Sequence, residues 1–315
     1  MTPPPISVIV PARDARSTLP ATLAGLGDQR DVEDFEVIVV DDGSTDGTAD
    51  LARASPLRPR VLSAAGVGAA ESRNLGARAA RAGALAFLDA DCQPVPGWLA
   101  AGLEALGDAD LVQGPICAPP GARVGPYDRV LVTPRASPLF ESANLFVTRE
   151  VFQGVGGFED WLGAGGRPMG EDVLFGWRAR RLGARVAFSD RAVVHHAVIP
   201  RGAWDYIAEH ARVRFFPVLA RRIPELRHAF FYRGYFLTSR SAAFDLALAG
   251  AAVALTARRP AALVLAAPYA RTVAAHSTRW GRRRAPAIAL ARLAADGLSA
   301  GALVVGSARA RTLVL

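Results

Sequence analysis

The chain has 315 residues, 51% of them hydrophobic, enough for one large α/β domain with an appendage or for two small domains. Its 30 glycines and 22 prolines are dispersed and no repeat of fixed period is visible, which excludes low-complexity and repeat architectures. The formal charge of +8 is divided: residues 233–315 carry twelve arginines against Asp245 and Asp296, a balance of +10, and residues 1–232 sum to −2.

The first half alternates strand and helix signals. Ile6 to Val10 is a short apolar run that predicts a buried strand, and Leu19, Leu23 and Leu26 then recur at helical spacing. Glu36 to Val40 is a second, β-branched strand closed by Asp41-Asp42-Gly43, with Ser44 as the expected N-cap of the next helix. Arg60 to Leu62 predicts a third strand, Ala69 to Arg81 a helix ended by Gly83, and Leu85 to Leu88 a fourth strand closed by Asp89-Ala90-Asp91. This order predicts a Rossmann-like, mostly parallel sheet with flanking helices, whose ligands sit beyond the carboxyl ends of the strands. Ser142 to Thr148 predicts another strand, and the glycines at 156, 157, 163, 165, 166 and 170 mark a turn-rich stretch. Glu171 to Leu182 predicts a helix with acids in its first turn, Arg180 and Arg181 in its last and Gly183 beyond its end. Residues 204–315 read as helical.

Three acidic groups stand where chemistry is expected. Asp89 and Asp91, one residue apart at a strand end, can share a hard divalent cation, Mg²⁺ or Mn²⁺; alone, such a pair more often simply caps a strand. Asp41 and Asp42 close the second strand, where a carboxylate can accept hydrogen bonds from a base or ribose or simply end a turn. Glu171 and Asp172 open a helix, so they either complement its dipole or supply a base.

Taken in order, Ser7-Val8-Ile9-Val10-Pro11, Val39 to Thr48 (VVDDGSTDGT), Ser72-Arg73-Asn74-Leu75-Gly76, Phe87 to Asp91, Ala143-Asn144-Leu145-Phe146, Gly156-Gly157-Phe158 and Gly170-Glu171-Asp172 resemble family 2 glycosyltransferases over about residues 5–200. The resemblance implies a GT-A fold and transfer of a sugar, with inversion, from a nucleotide-diphosphate sugar, UDP-sugar being the commonest donor. It implies that Pro11, Arg13, Asp41, Asp42, Arg73 and Asp89 line the nucleotide-sugar site. Asp91, with Asp89 and His196, would hold the metal, His195 being a rival; Asp172 would be the general base, supported by Glu171. Arg13 departs from the aromatic residue that many relatives carry at this point. The Gln-x-x-Arg-Trp signature of processive members is missing at its usual distance, where Glu209 to Phe215 stands instead; His276 and Arg279-Trp280 lie too far downstream. Single addition is therefore expected. A loop over residues 154–170 is expected to close on the site.

The domains expected are a catalytic domain over 1–215 and a helical, apolar and basic region over 216–315. Ala242 to Ala257 and Ala261 to Ala270 are each too short to span a bilayer, and residues 285–306 are broken by Arg292 and Asp296. The region is instead expected to lie on a membrane surface, with the arginines at 258–259 and 282–284 meeting anionic headgroups. No nucleic-acid motif accompanies the charge. Two cysteines make no disulfide framework and Met1 to Pro5 no signal peptide, so the expected location is the cytoplasmic face of a membrane, with a lipid-linked or cell-envelope glycan acceptor. The competing readings are a nucleotidyltransferase, which the glycine-free Pro11-Ala12-Arg13-Asp14 disfavours, and an inactive scaffold, which the intact acids disfavour.

Overall fold

The computed structural model describes residues 3–160 and 169–315. Two compact units make up the chain: one of residues 1–122 and 130–198, the other of 123–129 and 199–315.

The first unit opens with β1 (Ile6–Ala12), α1 (Leu19–Gly27), β2 (Glu36–Asp42), α2 (Thr48–Ala54), β3 (Arg60–Ala64), α3 (Ala69–Ala79) and β4 (Ala84–Leu88). The four strands are parallel, in the order β3-β2-β1-β4. Strands β1, β2 and β4 are mostly apolar and buried on both faces, as a parallel sheet covered by helices requires, whereas the edge strand β3 is partly exposed. Strand order reverses at β1, so a crevice forms beyond the carboxyl ends of β1 and β4. Helix α3 packs tightly on this sheet: a Cβ at Gly76 would lie 2.5 Å from Ile9 Cγ2. Ser44 does not cap α2. That helix starts at Thr48 behind Gly47, because residues 43–47 form a loop held by cross-bonds in which Ser44 Oγ accepts from Asp14 N–H and Asp46 accepts from Arg16 and Thr48.

The sheet continues through β8 (Asn144–Thr148) to β6 (Leu111–Gln113) and β9 (Val186–Phe188). Strand β8 is antiparallel to both β4 and β6. Running backwards, it starts at the edge where β4 ends, with Asn144 opposite Leu88. A second, small sheet joins β5 (Cys92–Pro94), β10 (Val194–His196) and β7 (Ile116–Cys117). Helices α4 (Trp98–Asp108), α5 (Arg149–Val155) and α6 (Glu171–Arg181) complete the unit. Trp98 packs on Phe146, and its Nε1 donates to Asn144 Oδ1, whose amide nitrogen donates to Pro115 and Ala192 carbonyls. Asn144 is thus a fully bonded buried node tying the two sheets together.

The second unit is helical: α7 (Ala203–Glu209), α8 (Phe216–Arg222), α9 (Leu226–Ala229), α10 (Ser239–Thr256), α11 (Ala267–Thr278) and α12 (Ala285–Ala310), with 3₁₀ segments at His210–Phe215 and Pro260–Ala266. Among the described residues, α12 is the one helix long and apolar enough to cross a membrane. One stripe of it, from Ile288 through Ala291, Ala295 and Ser299 to Leu303, is buried against the unit. Its other face leaves Leu290, Leu293 and Val304 exposed.

Candidate active site

The carboxyl edge of the sheet collects most of the acids singled out in the sequence. Asp41 and Asp42 end β2, Asp89 follows β4, and Pro11 and Arg13 stand at the end of β1. Asp42 is buried; its two oxygens accept from the N–H groups of Val67 and Gly68, 2.6 and 2.9 Å away. It therefore holds the turn that starts α3, and the exposed Arg13 guanidinium lies 3.7 Å from it. Asp41 is also buried, and its Oδ1 has no hydrogen-bond partner among the described residues.

Arg73 on α3 links two of the motifs. Its side chain is 5% exposed; Nη2 donates to Asp89 Oδ1 at 2.6 Å and Nη1 to Glu171 Oε1 at 3.2 Å. Burial works against the guanidinium charge, but Asp89 and Glu171 more than offset it and hold Arg73 protonated. The Phe158 ring lies below the guanidinium, 5.7 Å from its Cζ. Asn74 fixes that ring: its amide donates to Phe158 O and accepts from Phe158 N–H at 2.8 and 2.9 Å. Gly157, at φ 75°, allows the approach, since a Cβ there would lie 2.6 Å from Asn74 Oδ1 and in a strained backbone. The Ser-Arg-Asn and Gly-Gly-Phe motifs are therefore one device for orienting Arg73.

Asp172 follows Glu171 in the first turn of α6, behind Gly170 in the left-handed conformation. Its oxygens accept from Val173 N–H and, at 3.3 Å, from Ser142 N–H. Burial pushes the Asp172 carboxyl well above the usual carboxylate range; Glu171 and Glu141 push the same way, while Arg73 and the Ser142 N–H oppose them. Glu141, which itself accepts from Ser137 Oγ, carries no mark in the sequence. It reaches this site because β8 runs antiparallel and starts at the same edge as Asp89.

Asp91 and His196 meet although 105 residues apart in the chain. Pairing of β10 with β5 sets His196 opposite Cys92, and Ala197 N–H donates to the Asp91 carbonyl at 2.7 Å. His196 is buried, with Nε2 3.4 Å from Asp91 Oδ2. Its Nδ1 lies 2.7 Å from the Ala197 carbonyl oxygen and donates to it, which leaves Nε2 facing the Asp91 carboxylate. A proton on Nε2 would join the two as an ion pair, and a small divalent ion, whose neighbouring ligands stand about 3 Å apart, would bridge them equally well. A hard divalent cation therefore fits this pair. Among the described residues no three His, Cys, Asp or Glu side chains converge, so other positions would fall to ligand oxygens and water. His195, next in the strand, alternates away and is not part of the pair. Asp89 directs Oδ1 to Arg73. Burial raises the Cys92 thiol well above its ordinary value, with Asp89 and Asp91 adding to the effect, so it stays protonated. The predicted closing loop at 154–170 includes residues 161–168, which lie outside the described residues.

Residues 7–151 match the family model for glycosyl transferase family 2. Glycosyltransferase AglE of Haloferax volcanii is 30% identical over 214 residues, covering 63% of this chain and 69% of that protein. The chain belongs to glycosyltransferase family 2. Validoxylamine A glucosyltransferase of Streptomyces hygroscopicus subsp. jinggangensis is 44% identical to this glycosyltransferase over 91 residues, 27% of the chain and 22% of that enzyme. Among solved structures, the mannosyltransferase PcManGT of Pyrobaculum calidifontis, in complex with GDP-Man and Mn²⁺, aligns with a TM-score of 0.57 at 23% identity, over 97% of this chain and 88% of that one. S. aureus TarS 1–349 with UDP-GlcNAc aligns at 0.51 and 17% identity, over 98% and 92%. The fold of this glycosyltransferase is GT-A.

Proposed function

We propose that this glycosyltransferase moves a sugar from a nucleotide-diphosphate sugar, a UDP-sugar in the first instance, to an acceptor hydroxyl with inversion and by single addition. The observation that carries the reading is Arg73, which ties Asp89 at the end of β4 to Glu171 at the start of α6 and so joins the two acidic motifs. In this reading Pro11, Arg13, Asp41, Asp42, Arg73 and Asp89 bind the donor. The unpartnered Asp41 Oδ1 offers an acceptor to a base or ribose. Arg13 stacks on the base where relatives use an aromatic ring. Asp91 and His196, with Asp89 adjoining, hold Mn²⁺ or Mg²⁺, as supported by the Mn²⁺ and GDP-Man bound to PcManGT. When bound, that ion neutralises the departing diphosphate.

Asp172 takes the proton of the acceptor hydroxyl. Its raised carboxyl is closer in proton affinity to neutral pH than an ordinary aspartate, which suits a general base. Glu171 keeps Arg73 in place and adds negative potential for the oxocarbenium-like transition state.

The catalytic domain in this reading is residues 1–215, and the helical region 216–315 rests on the cytoplasmic face of a membrane. Leu255, Leu263, Val264, Leu290 and Val304 are each at least half exposed, up to 80% at Leu255, and Arg258, Arg259 and Arg282 to Arg284 stand among them in the sequence. A lipid-linked or cell-envelope glycan acceptor fits such a location.

Calorimetry with UDP, GDP, dTDP and CDP, with and without Mn²⁺, tests the donor site. One nucleotide should bind in a metal-dependent way, and Asp91→Ala should lose the metal dependence. Absence of binding by folded protein would sink the reading. Full recovery of the protein in the soluble fraction without detergent would sink the membrane part alone.

A further inference from the structure

Between β7 and β8 the chain makes a turn over residues 137–142 that comes up against Asp172 and that the reading above leaves without a role. Ser137 ties the turn down: its N–H donates to Gln113 Oε1 on β6, and its hydroxyl accepts from Leu139 N–H. Trp177 Nε1 on α6 donates to the Pro138 carbonyl at 2.9 Å. The anchor is Phe140, 1% exposed and at φ 54°, a left-handed backbone that a bulky side chain rarely adopts. Its ring fills the notch left by Gly176 on α6, where a Cβ would meet Phe140 Cγ at 2.1 Å, and stands edge-to-face with Trp177. Strain of this kind persists only where the surroundings impose it, and it clusters at ligand sites. Here it sets the course of the next two residues. Ser142 N–H donates to Asp172 Oδ2 at 3.3 Å. Glu141, partly buried, is held by one oxygen alone: Oε1 accepts from Ser137 Oγ at 2.9 Å and from Thr133 Oγ1 at 3.3 Å. Oε2 has no partner among the described residues. Asp172 feels Glu141 electrostatically as well.

Tying the turn uses one oxygen of Glu141 and leaves the other to a ligand. The place of the turn says which ligand. Ser142 touches Asp172, and Asn144, two residues on, stands opposite Leu88, the residue before Asp89. The segment therefore runs from the base to the end of β4, whose residues 89–91 meet the metal and diphosphate in the donor reading. A sugar in transfer spans the same two points: its anomeric carbon carries the diphosphate and is attacked by the hydroxyl that Asp172 deprotonates. Sugar hydroxyls are donors, and a carboxyl oxygen is the acceptor that binds a hydroxyl most strongly. We propose that Glu141 is a specificity-determining residue whose Oε2 accepts a hydrogen bond from a hydroxyl of the transferred sugar. The inference rests on the donor reading and adds to it a contact with the sugar itself, apart from the nucleotide.

Calorimetry on the full chain in Mn²⁺ tests it. The probes are UDP-glucose, UDP-N-acetylglucosamine, dTDP-glucose and GDP-mannose, each beside its own free nucleoside diphosphate. The quantity read is the affinity for a nucleotide sugar relative to that for the free nucleotide, in wild type, Glu141→Ala, Glu141→Gln and Ser137→Ala. For the sugar bound best, Glu141→Ala should lower this ratio by about 10- to 100-fold, the loss of one hydrogen bond to a charged group, while the free nucleotide binds as in wild type. Glu141→Gln, whose amide oxygen still accepts, should recover part of the ratio. Ser137→Ala, which loosens Glu141 without removing it, should fall between wild type and Glu141→Ala. A ratio that stays within about twofold of wild type in Glu141→Ala overturns the proposal. So does an equal loss of nucleotide and nucleotide sugar, which would make Glu141 a support of the fold or of the nucleotide site. Failure of folded wild type to bind any nucleotide is a separate result: it sinks the donor reading, and this inference with it.

Discussion

Arg73 and Arg292 are both arginines withdrawn from solvent, the first almost fully and the second in part, one in each unit, and their surroundings differ. Arg73 has a carboxylate on each side and an aromatic ring beneath it. Arg292 has a carboxylate nearby that is committed elsewhere, and a second arginine in its field. The first is a charge matched within the protein, so it organises the site and is costly to remove. The second is only partly buried and its nearby carboxylate is engaged with Arg240 and Tyr269, so removing it should cost the fold far less. Burial alone does not say what a charged side chain is for; its partners do.

The sharpest test of the matched side is Asp172, the proposed base, which shares this field. Asp172→Asn should lower the rate of sugar transfer by about 10²–10⁴-fold while leaving nucleotide binding intact, as steady-state kinetics and calorimetry would show. Retention of most of the activity would move the base elsewhere, Glu141 being the next group to try. The next effect in size is on stability. Arg73→Leu leaves Asp89 and Glu171 uncompensated at the sheet edge and should cost about 3–5 kcal/mol in chemical denaturation. A smaller loss would mean that the carboxylates take up protons or water in place of the guanidinium.

Packing beneath Arg73 comes next. Gly76→Ala drives a methyl into Ile9 and should cost about 1–3 kcal/mol, measured as a lower denaturation midpoint with unchanged slope. The most delicate comparison is in pH. The Asp172 carboxyl is raised in the native state, so the native state holds a proton that the unfolded chain has released. Below an ordinary aspartate value of about 3.9 both states are protonated and its contribution to stability is fully present. That contribution is lost as pH rises through the native value. Asp172→Asn should therefore be more stable than wild type at neutral pH, with the difference closing toward acid; an unchanging difference would refute the raised carboxyl. The acid limb of the activity profile should likewise lie above the usual carboxylate range.

Much of the catalytic edge was legible in the sequence because parallel strands are continuous apolar runs and their ends are marked by charge. Asp42, Asp89 and Asp91 could be located this way, as could Glu171 and Asp172 behind a glycine. The helix does not start at Ser44 because Asp14 and Arg16, remote in sequence, hold that loop through hydrogen bonds to Ser44 and Asp46. Glu141 was invisible: nothing local distinguishes it, and it joins the site through the reversed direction of β8. Asn144 stood out in a motif, yet its service is to bond two sheets, and the motif did not say so. The resemblance pointed to His196 with His195 as its rival; the register of β10 on β5 sets His196 beside Asp91, and in a strand one residue decides the face.

The sequence by itself determined the family, the parallel core and the acidic strand ends, since these follow from local hydrophobic period and from the ordered motifs. Only the tertiary structure decided which distant groups meet: Arg73 with Glu171, and His196 with Asp91. Those pairings depend on strand direction, on register and on helix packing across long stretches of chain, and none of these is written in any one segment.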